Sequence, residues 1–234
     1  LLGPRAALWS EIEAWAWVAW VRLERVFAVH VRRLAECPPL GSLAGIFLYC
    51  QELIDEQSAG VLADSPLLGN LVSLELCHMG PAGVVKLLQS PHLTRLRRLE
   101  LLGNGLRNRD ALALLDSMPH LDHLTELCLT GNFFGDVVLQ ALANEPRLAN
   151  LISLRFVQTP TITDTGIIAL AASPYLANLT TLHLDHARIT EEGARALLLS
   201  PYLGNVTYLR GPAQSESVTK ATKDALRDRF GSSL

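Results

Sequence analysis

"LRRLELLGNGL", residues 96–106, sets leucines at positions 96, 99, 101 and 106, an asparagine at 104, and charged residues at 97, 98 and 100. Leu99 and Leu101 keep the period of two that sends alternate side chains of an extended segment to one face. The stretch therefore reads as a short strand followed by a turn. Whether it stands alone decides the fold.

Proline supplies the ruler for that question. It recurs in "CPPL" (Pro38), "SPLL" (Pro66), "SPHL" (Pro91), "MPHL" (Pro119), "EPRL" (Pro146), "SPYL" (Pro174) and "SPYL" (Pro201), at intervals of 28, 25, 28, 27, 28 and 27 residues. After each proline comes the same frame, whose first, fourth and sixth residues are apolar: "LAGIFL" (43–48), "LVSLEL" (71–76), "LRRLEL" (96–101), "LTELCL" (124–129), "LISLRF" (151–156), "LTTLHL" (179–184) and "VTYLRG" (206–211). A degenerate copy, "VAWVRL" (18–23), precedes them and is followed by a helical "ERVFAVHVRRLAE" (24–36). Between frames lie helical stretches such as "TDTGIIALAAS" (163–173) and "TEEGARALLLS" (190–200). Thr163 and Thr190 are suited to cap them, acidic residues follow in the first turn, and the next proline stops the helix. A fixed period of this length signals a solenoid.

These residues resemble the leucine-rich repeat family, whose frame is L-x-x-L-x-L-x-x-N-x-L. Residues 96–106 match every fixed position, and "LTELCLTGNFF" (124–134) matches with Phe134 last. The unit length is similar to that of the long, helix-bearing subclass typified by ribonuclease inhibitor, and the N-terminal end is similar to bacterial members that begin with a variable companion segment. The resemblance implies an α/β leucine-rich repeat solenoid, a curved parallel sheet on the concave face with helices on the convex face, acting in protein recognition. Gln51, Met79, Thr159 and Ala187 replace the asparagine elsewhere, so an amide ladder is expected only near Asn104 and Asn132. The turn "VQTPTITD" (157–164) is one residue longer than its neighbours.

One domain is expected over 1–234: an N-terminal cap over 1–17 carrying Trp9, Trp15 and Trp17, about eight repeats over 18–211, and a C-terminal capping helix within 212–234, written in "SVTKATKDALRDRFG" (217–231). One continuous helix over about 5–35 is the alternative at the N-terminus.

Composition bounds the role. Of 234 residues 49% are hydrophobic, enough for a substantial core, and 20 basic against 23 acidic residues give a net charge of −3, without the excess that phosphate backbones demand. Nucleic acid is not expected as a partner. "AWAWVAWV" (14–21) is too short to cross a bilayer, so no membrane association is expected. Cys37, Cys50, Cys77 and Cys128 form neither CxxC pairs nor a disulfide spacing, which fits free thiols in the cytoplasm.

If the strands stack in parallel, the residues between the leucines form columns on the open face. One column holds Trp20, Gly45, Ser73, Arg98, Glu126, Ser153, Thr181 and Tyr208. The next holds Arg22, Phe47, Glu75, Glu100, Cys128, Arg155, His183 and Arg210. A third begins Tyr49, Cys77, Leu102 and ends at Asp185. The partner-binding candidates fall into an aromatic end (Trp20, Phe47, Tyr49), an acidic centre (Glu75, Glu100, Glu126) partly offset by Arg97 and Arg98, and a basic and aromatic end (Arg155, His183, Tyr208, Arg210). Such a graded surface suits a protein partner, although solvated sheet positions give the same composition.

Chemistry is sparse. "HLDH" (183–186) offers His183 and Asp185 on one strand face, a start for a metal-dependent enzyme, but His186 turns away and no third ligand is assured. Glu75 and Glu100 lack the enclosing cleft that acid–base work requires, and Cys128 lacks a histidine. GxSxG, GxxxxGK[ST] and GxGxxG do not occur. His92, His120 and His123 read as solvated turn residues. The expectation is a non-enzymatic, monomeric interaction scaffold with no cofactor and no metal; the alternative is an accessory piece of a larger multidomain protein whose activity lies outside these residues.

Overall fold

A parallel strand reaches its neighbour only through a crossover, and each repeat unit contains one. In the computed structural model, which describes residues 19–231, the strands are β1 (Trp20–Val26), β2 (Gly45–Cys50), β3 (Ser73–Cys77), β4 (Arg98–Leu102), β5 (Glu126–Cys128), β6 (Ser153–Arg155), β7 (Thr181–His183) and β8 (Tyr208–Arg210). They form one sheet in chain order, every neighbouring pair parallel. The crossovers carry α1 (Ala28–Leu34), α2 (Glu56–Ala63), α3 (Pro81–Leu88), α4 (Asn108–Ser117), α5 (Asp136–Ala143), α6 (Asp164–Ala171) and α7 (Glu191–Leu199), and α8 (Lys220–Phe230) closes the C-terminal end. The fold is the expected α/β leucine-rich repeat solenoid.

The apolar frame makes the core. Leu71, Leu74 and Leu76, and their equivalents through Leu209, are buried in one cluster with the inner helix residues Leu62, Val84, Leu139 and Leu170. Each buried leucine contributes about 1.5–3 kcal/mol. In the first unit Val21 and Leu23 are only partly covered by the described residues. The N-terminal cap expected over 1–17, with Trp9, Trp15 and Trp17, lies outside the described residues. Trp20 onward is strand, as the first of the two N-terminal readings has it. The helix expected from residue 24 instead begins at Ala28, because β1 continues to Val26 through a register shift after Leu23 in which Arg25 adopts φ +57°. That shift buries Val26, which a helix starting at Glu24 would not do.

Polar side chains stitch the units together. The serine of each "SP" pair donates to the carbonyl at the end of the helix one unit back: Ser65 to Ala35 (2.8 Å), Ser90 to Ala63, Ser173 to Ala143 (2.5 Å) and Ser200 to Ala171 (2.5 Å). These carbonyls are left open by the helix itself. Where Met118 and Glu145 replace the serine, the Arg147 guanidinium donates to the Leu115 and Met118 carbonyls instead. Four residues past the proline, Asn70, Asn150, Asn178 and Asn205 donate to the carbonyls of Gly41, Asp122, Ala149 and Ala177 at 2.6–2.9 Å. His123 takes that place in its unit, with Nδ1 2.9 Å from the Thr94 carbonyl oxygen. It is exposed, as expected of a solvated turn histidine, and adds this contact between units.

The helix starts are linked as well. Asp136 accepts from the Thr163 amide (2.7 Å) and hydroxyl (2.6 Å), and Asp164 accepts from the Thr190 amide (2.8 Å) and hydroxyl (2.5 Å). Gly193 makes the second link possible: a Cβ there would stand 2.3 Å from Asp164 Oδ1. Thr163 and Thr190 also cap α6 and α7 as expected, accepting from Thr165 and Glu192 amides.

Candidate functional site

Strand register sets the open face. Trp20, Gly45, Ser73, Arg98, Glu126, Ser153, Thr181 and Tyr208 are successive partners across the sheet, as are Arg22, Phe47, Glu75, Glu100, Cys128, Arg155, His183 and Arg210. Tyr49, Cys77 and Leu102 continue in the same way on β2–β4. Neighbours in a column stand about 4.8 Å apart, the strand spacing. Long side chains therefore interact across one or two strands.

At the N-terminal end the three aromatic candidates each engage a different neighbour rather than forming one patch. The Trp20 indole lies over Gly45, where any Cβ would come within 2.3 Å of the ring. Phe47 carries the Arg22 guanidinium 4.1 Å above its ring, a cation–π contact, while Arg22 also pairs with Glu24 at 2.9 Å. Tyr49 meets His78 edge-on, with ring centroids 5.2 Å apart. Gly45 and His78 were invisible as site residues in the sequence, because their role comes from the strand next door.

The middle is an ion network, not a free acidic surface. Arg98 stands 2.6 Å from Glu100, 3.4 Å from Glu126 and 3.8 Å from Glu75. Arg155, two strands away, reaches over the position of Cys128 to bond Glu100 at 2.5 Å. The offsetting cations are thus Arg98 and Arg155; Arg97 is exposed and makes no ion pair among the described residues, correcting the expected pair of Arg97 and Arg98. Glu100, held by two guanidiniums, is 7% exposed. Among the described residues Glu75 has no hydrogen bond, and burial followed by the Glu100 charge pushes its carboxyl pKa up despite Arg98. The Arg98 and Arg155 Nε atoms are buried without partners.

The C-terminal end is organised around Asp185, which is buried. It takes His183 Nε2 at 2.6 Å and Arg210 at 3.3 Å. With its side-chain amide turned so that both groups are satisfied, Gln214 completes the ring, its nitrogen 3.2 Å from Asp185 Oδ1 and its oxygen 3.0 Å from Arg210. Tyr208 stands edge-on to His183, centroids 6.4 Å apart. His186 sits in the turn at φ +68° and is exposed, away from this cluster. Among the described residues no group of three or more His, Cys, Asp or Glu side chains could hold a metal ion. Asp185 is bonded to His183 and ion-paired with Arg210, an arrangement that fixes all three side chains.

The cysteines are free, and Cys50, Cys77 and Cys128 are buried. Burial, then the nearby Cys77 and Glu52, push the Cys50 thiol up to about 12, and burial raises Cys77 too. Both shifts oppose the thiolate form that nucleophilic chemistry uses. Outside the columns, an open groove of about 590 Å³ runs along the carboxyl ends of β2–β4, lined by Tyr49, Leu53, His78, Gly80, Gly103 and Gly105 among others. The sequence reading missed it; the clustered glycines were the available signal.

Comparison with known proteins places the repeat in context. Residues 175–198 match the family described as Leucine Rich repeat. A stretch of 46 residues, 19% of this chain, is 48% identical to a protein of Arabidopsis thaliana named as an F-box/LRR-repeat protein, and the match spans 10% of that protein. Among solved structures, an internalin of Listeria monocytogenes aligns with 88% of this chain and 86% of its own, at 15% identity and a TM-score of 0.32. The eight-stranded parallel sheet with a helix in each crossover has the leucine-rich repeat solenoid fold, and residues 175–198 carry the repeat match. No described helix is long and apolar enough to cross a membrane.

Proposed function

We propose that this chain is a protein-recognition scaffold whose partner docks on the open, concave face of the sheet. One observation carries the reading: eight parallel strands in one sheet align charged, aromatic and hydroxyl side chains in columns across it. Hydrogen bonds and ion pairs already fix many of these side chains, so association costs little further ordering entropy. The contact set is Trp20, Phe47, Tyr49, Glu75, Arg98, Glu100, Glu126, Arg155, His183, Tyr208 and Arg210, working by binding without catalysis.

The unit length and the helix in every crossover support the ribonuclease-inhibitor-like subclass. Four unpaired cysteines support a cytoplasmic, reducing setting. The near-neutral charge favours a protein partner over nucleic acid or a membrane surface, and we assign a monomer. The resemblance to bacterial members rests on the N-terminal segment, outside the described residues. A second reading, an accessory module within a longer chain, draws support from the F-box/LRR-repeat relative, of which the match spans a tenth.

The test is quantitative affinity capture followed by mass spectrometry with matched variants. Phe47→Ala with Tyr208→Ala should lose the captured protein, whereas Lys86→Ala with Arg195→Ala, on the helices, should retain it. Loss from the helix variant alone would overturn the assignment of the face.

A further inference from the structure

We propose that the β6–β8 end of the open face seats a carboxylate side chain from an acidic stretch of the protein partner. The proposal rests on the concave-face reading and names the chemistry of one part of it.

Two columns meet there. One presents three hydroxyls in a row, Ser153, Thr181 and Tyr208; the other presents Arg155, His183 and Arg210 beside them. All six are half-buried. Among the described residues none of the three hydroxyls has a hydrogen-bond partner from its own side chain, although every polar neighbour on the cationic column is engaged. Arg155 adds a buried Nε–H without an acceptor. The donors therefore outnumber the acceptors: Glu100 is taken by Arg98 and Arg155, and Asp185 by His183, Arg210 and Gln214. An incoming group that brings acceptors finds unengaged hydroxyl and Nε–H donors there.

Charge along the face orients that group. Glu75, Glu100 and Glu126 crowd β3–β5 around Arg98, so an acidic segment is repelled from the middle and drawn to β6–β8. Both arginines at this end already face a carboxylate, which leaves little uncommitted positive charge. That balance suits a monoanionic carboxylate accepting from hydroxyls better than a dianionic phosphate.

The experiment measures fluorescence anisotropy of a labelled octaglutamate peptide on the full chain at low salt, beside octalysine and a phosphoserine–glycine octamer. Octaglutamate should bind. Thr181→Val and Tyr208→Phe, each removing one hydroxyl with shape nearly kept, should each weaken it about fivefold, the loss of one net hydrogen bond. Arg195→Ala, on the exposed side of α7, should leave binding unchanged. Thermal unfolding by circular dichroism, unchanged in the hydroxyl variants, keeps a folding defect from imitating the result. Equal binding by the hydroxyl variants, preference for octalysine, or tighter binding of the phosphoserine peptide would overturn the proposal. If octaglutamate fails to bind while Phe47→Ala with Tyr208→Ala still abolishes partner capture, the carboxylate assignment falls and the concave-face reading stands.

Discussion

The two rims of the sheet are built differently. At the amino ends of the strands, nearly every unit repeats the same small device: a serine closing the previous helix, and an asparagine, or His123, bonding a carbonyl one unit back. At the carboxyl ends only two units hold an amide ladder. Asn104 joins the Met79 amide (2.8 Å) to the Leu76 carbonyl (2.9 Å), and Asn132 accepts from the Asn104 and Leu106 amides while donating to the Leu101 and Leu129 carbonyls. Elsewhere the position holds Gln51, Met79, Thr159 or Ala187, and the Thr159 hydroxyl is buried with no partner. One rim is a uniform spine; the other varies from unit to unit, and the open groove lies along it. Regularity thus marks the edge where the units are linked alike, and the other edge differs from unit to unit.

Substitutions can break that contrast, beginning where bonds are concentrated. Asn132→Ala should cost about 3 kcal/mol in chemical denaturation, because several buried backbone groups lose their partner at once. Gly193→Ala should cost about 2 kcal/mol by forcing Asp164 off the Thr190 amide and hydroxyl. Ser173→Ala on the uniform rim should cost only about 1 kcal/mol, one net hydrogen bond to the Ala143 carbonyl. A larger loss for Ser173→Ala than for Asn132→Ala would reverse the contrast.

The irregular rim also carries a left-handed residue just before the asparagine position: Arg25, His78, Gly103, Gly131, Gln158 and His186, with φ between +56° and +71°. Glycine tolerates this conformation, whereas other residues are strained by up to about 1–2 kcal/mol. Gln158→Gly should therefore leave stability unchanged or raise it by less than about 1 kcal/mol, the strain relieved being offset by glycine's freedom in the unfolded chain. A clear destabilisation would show that Gln158 contributes contacts beyond its backbone.

The smallest effect belongs to the open face. Glu75 has its pKa raised by burial and by Glu100, so the folded chain holds its proton more tightly than the unfolded chain. The charged carboxylate is therefore unfavourable near neutral pH, and the penalty fades as pH falls through the raised pKa toward the ordinary glutamate value of about 4.3. Glu75→Gln should resist denaturant slightly better than the natural chain at pH 7, with the two converging below that value. Divergence that grows on acidification would contradict this.

Repeat length, strand register and core were legible because they rest on period: seven prolines and the leucine frame predict columns that the strand pairing reproduces. The intact asparagines were legible for the same reason. What escaped was contact across units. Arg155 bonding Glu100, 55 residues earlier, depends on a guanidinium long enough to span two strands, which no local pattern encodes. Trp20 lying on Gly45 and Gln214 returning to Asp185 are likewise set by neighbours in space. The columns expected on the open face align as read, but the charges in them are largely committed to one another.

Hydroxyl-radical footprinting of the chain with and without its captured partner addresses the central claim most directly. Recognition by the open face predicts that Phe47, Tyr49 and Tyr208 become protected from oxidation, while Tyr175 and Tyr202, exposed beside the prolines of the uniform rim, react as before. Protection of Tyr175 and Tyr202 with Phe47, Tyr49 and Tyr208 left fully reactive would contradict it.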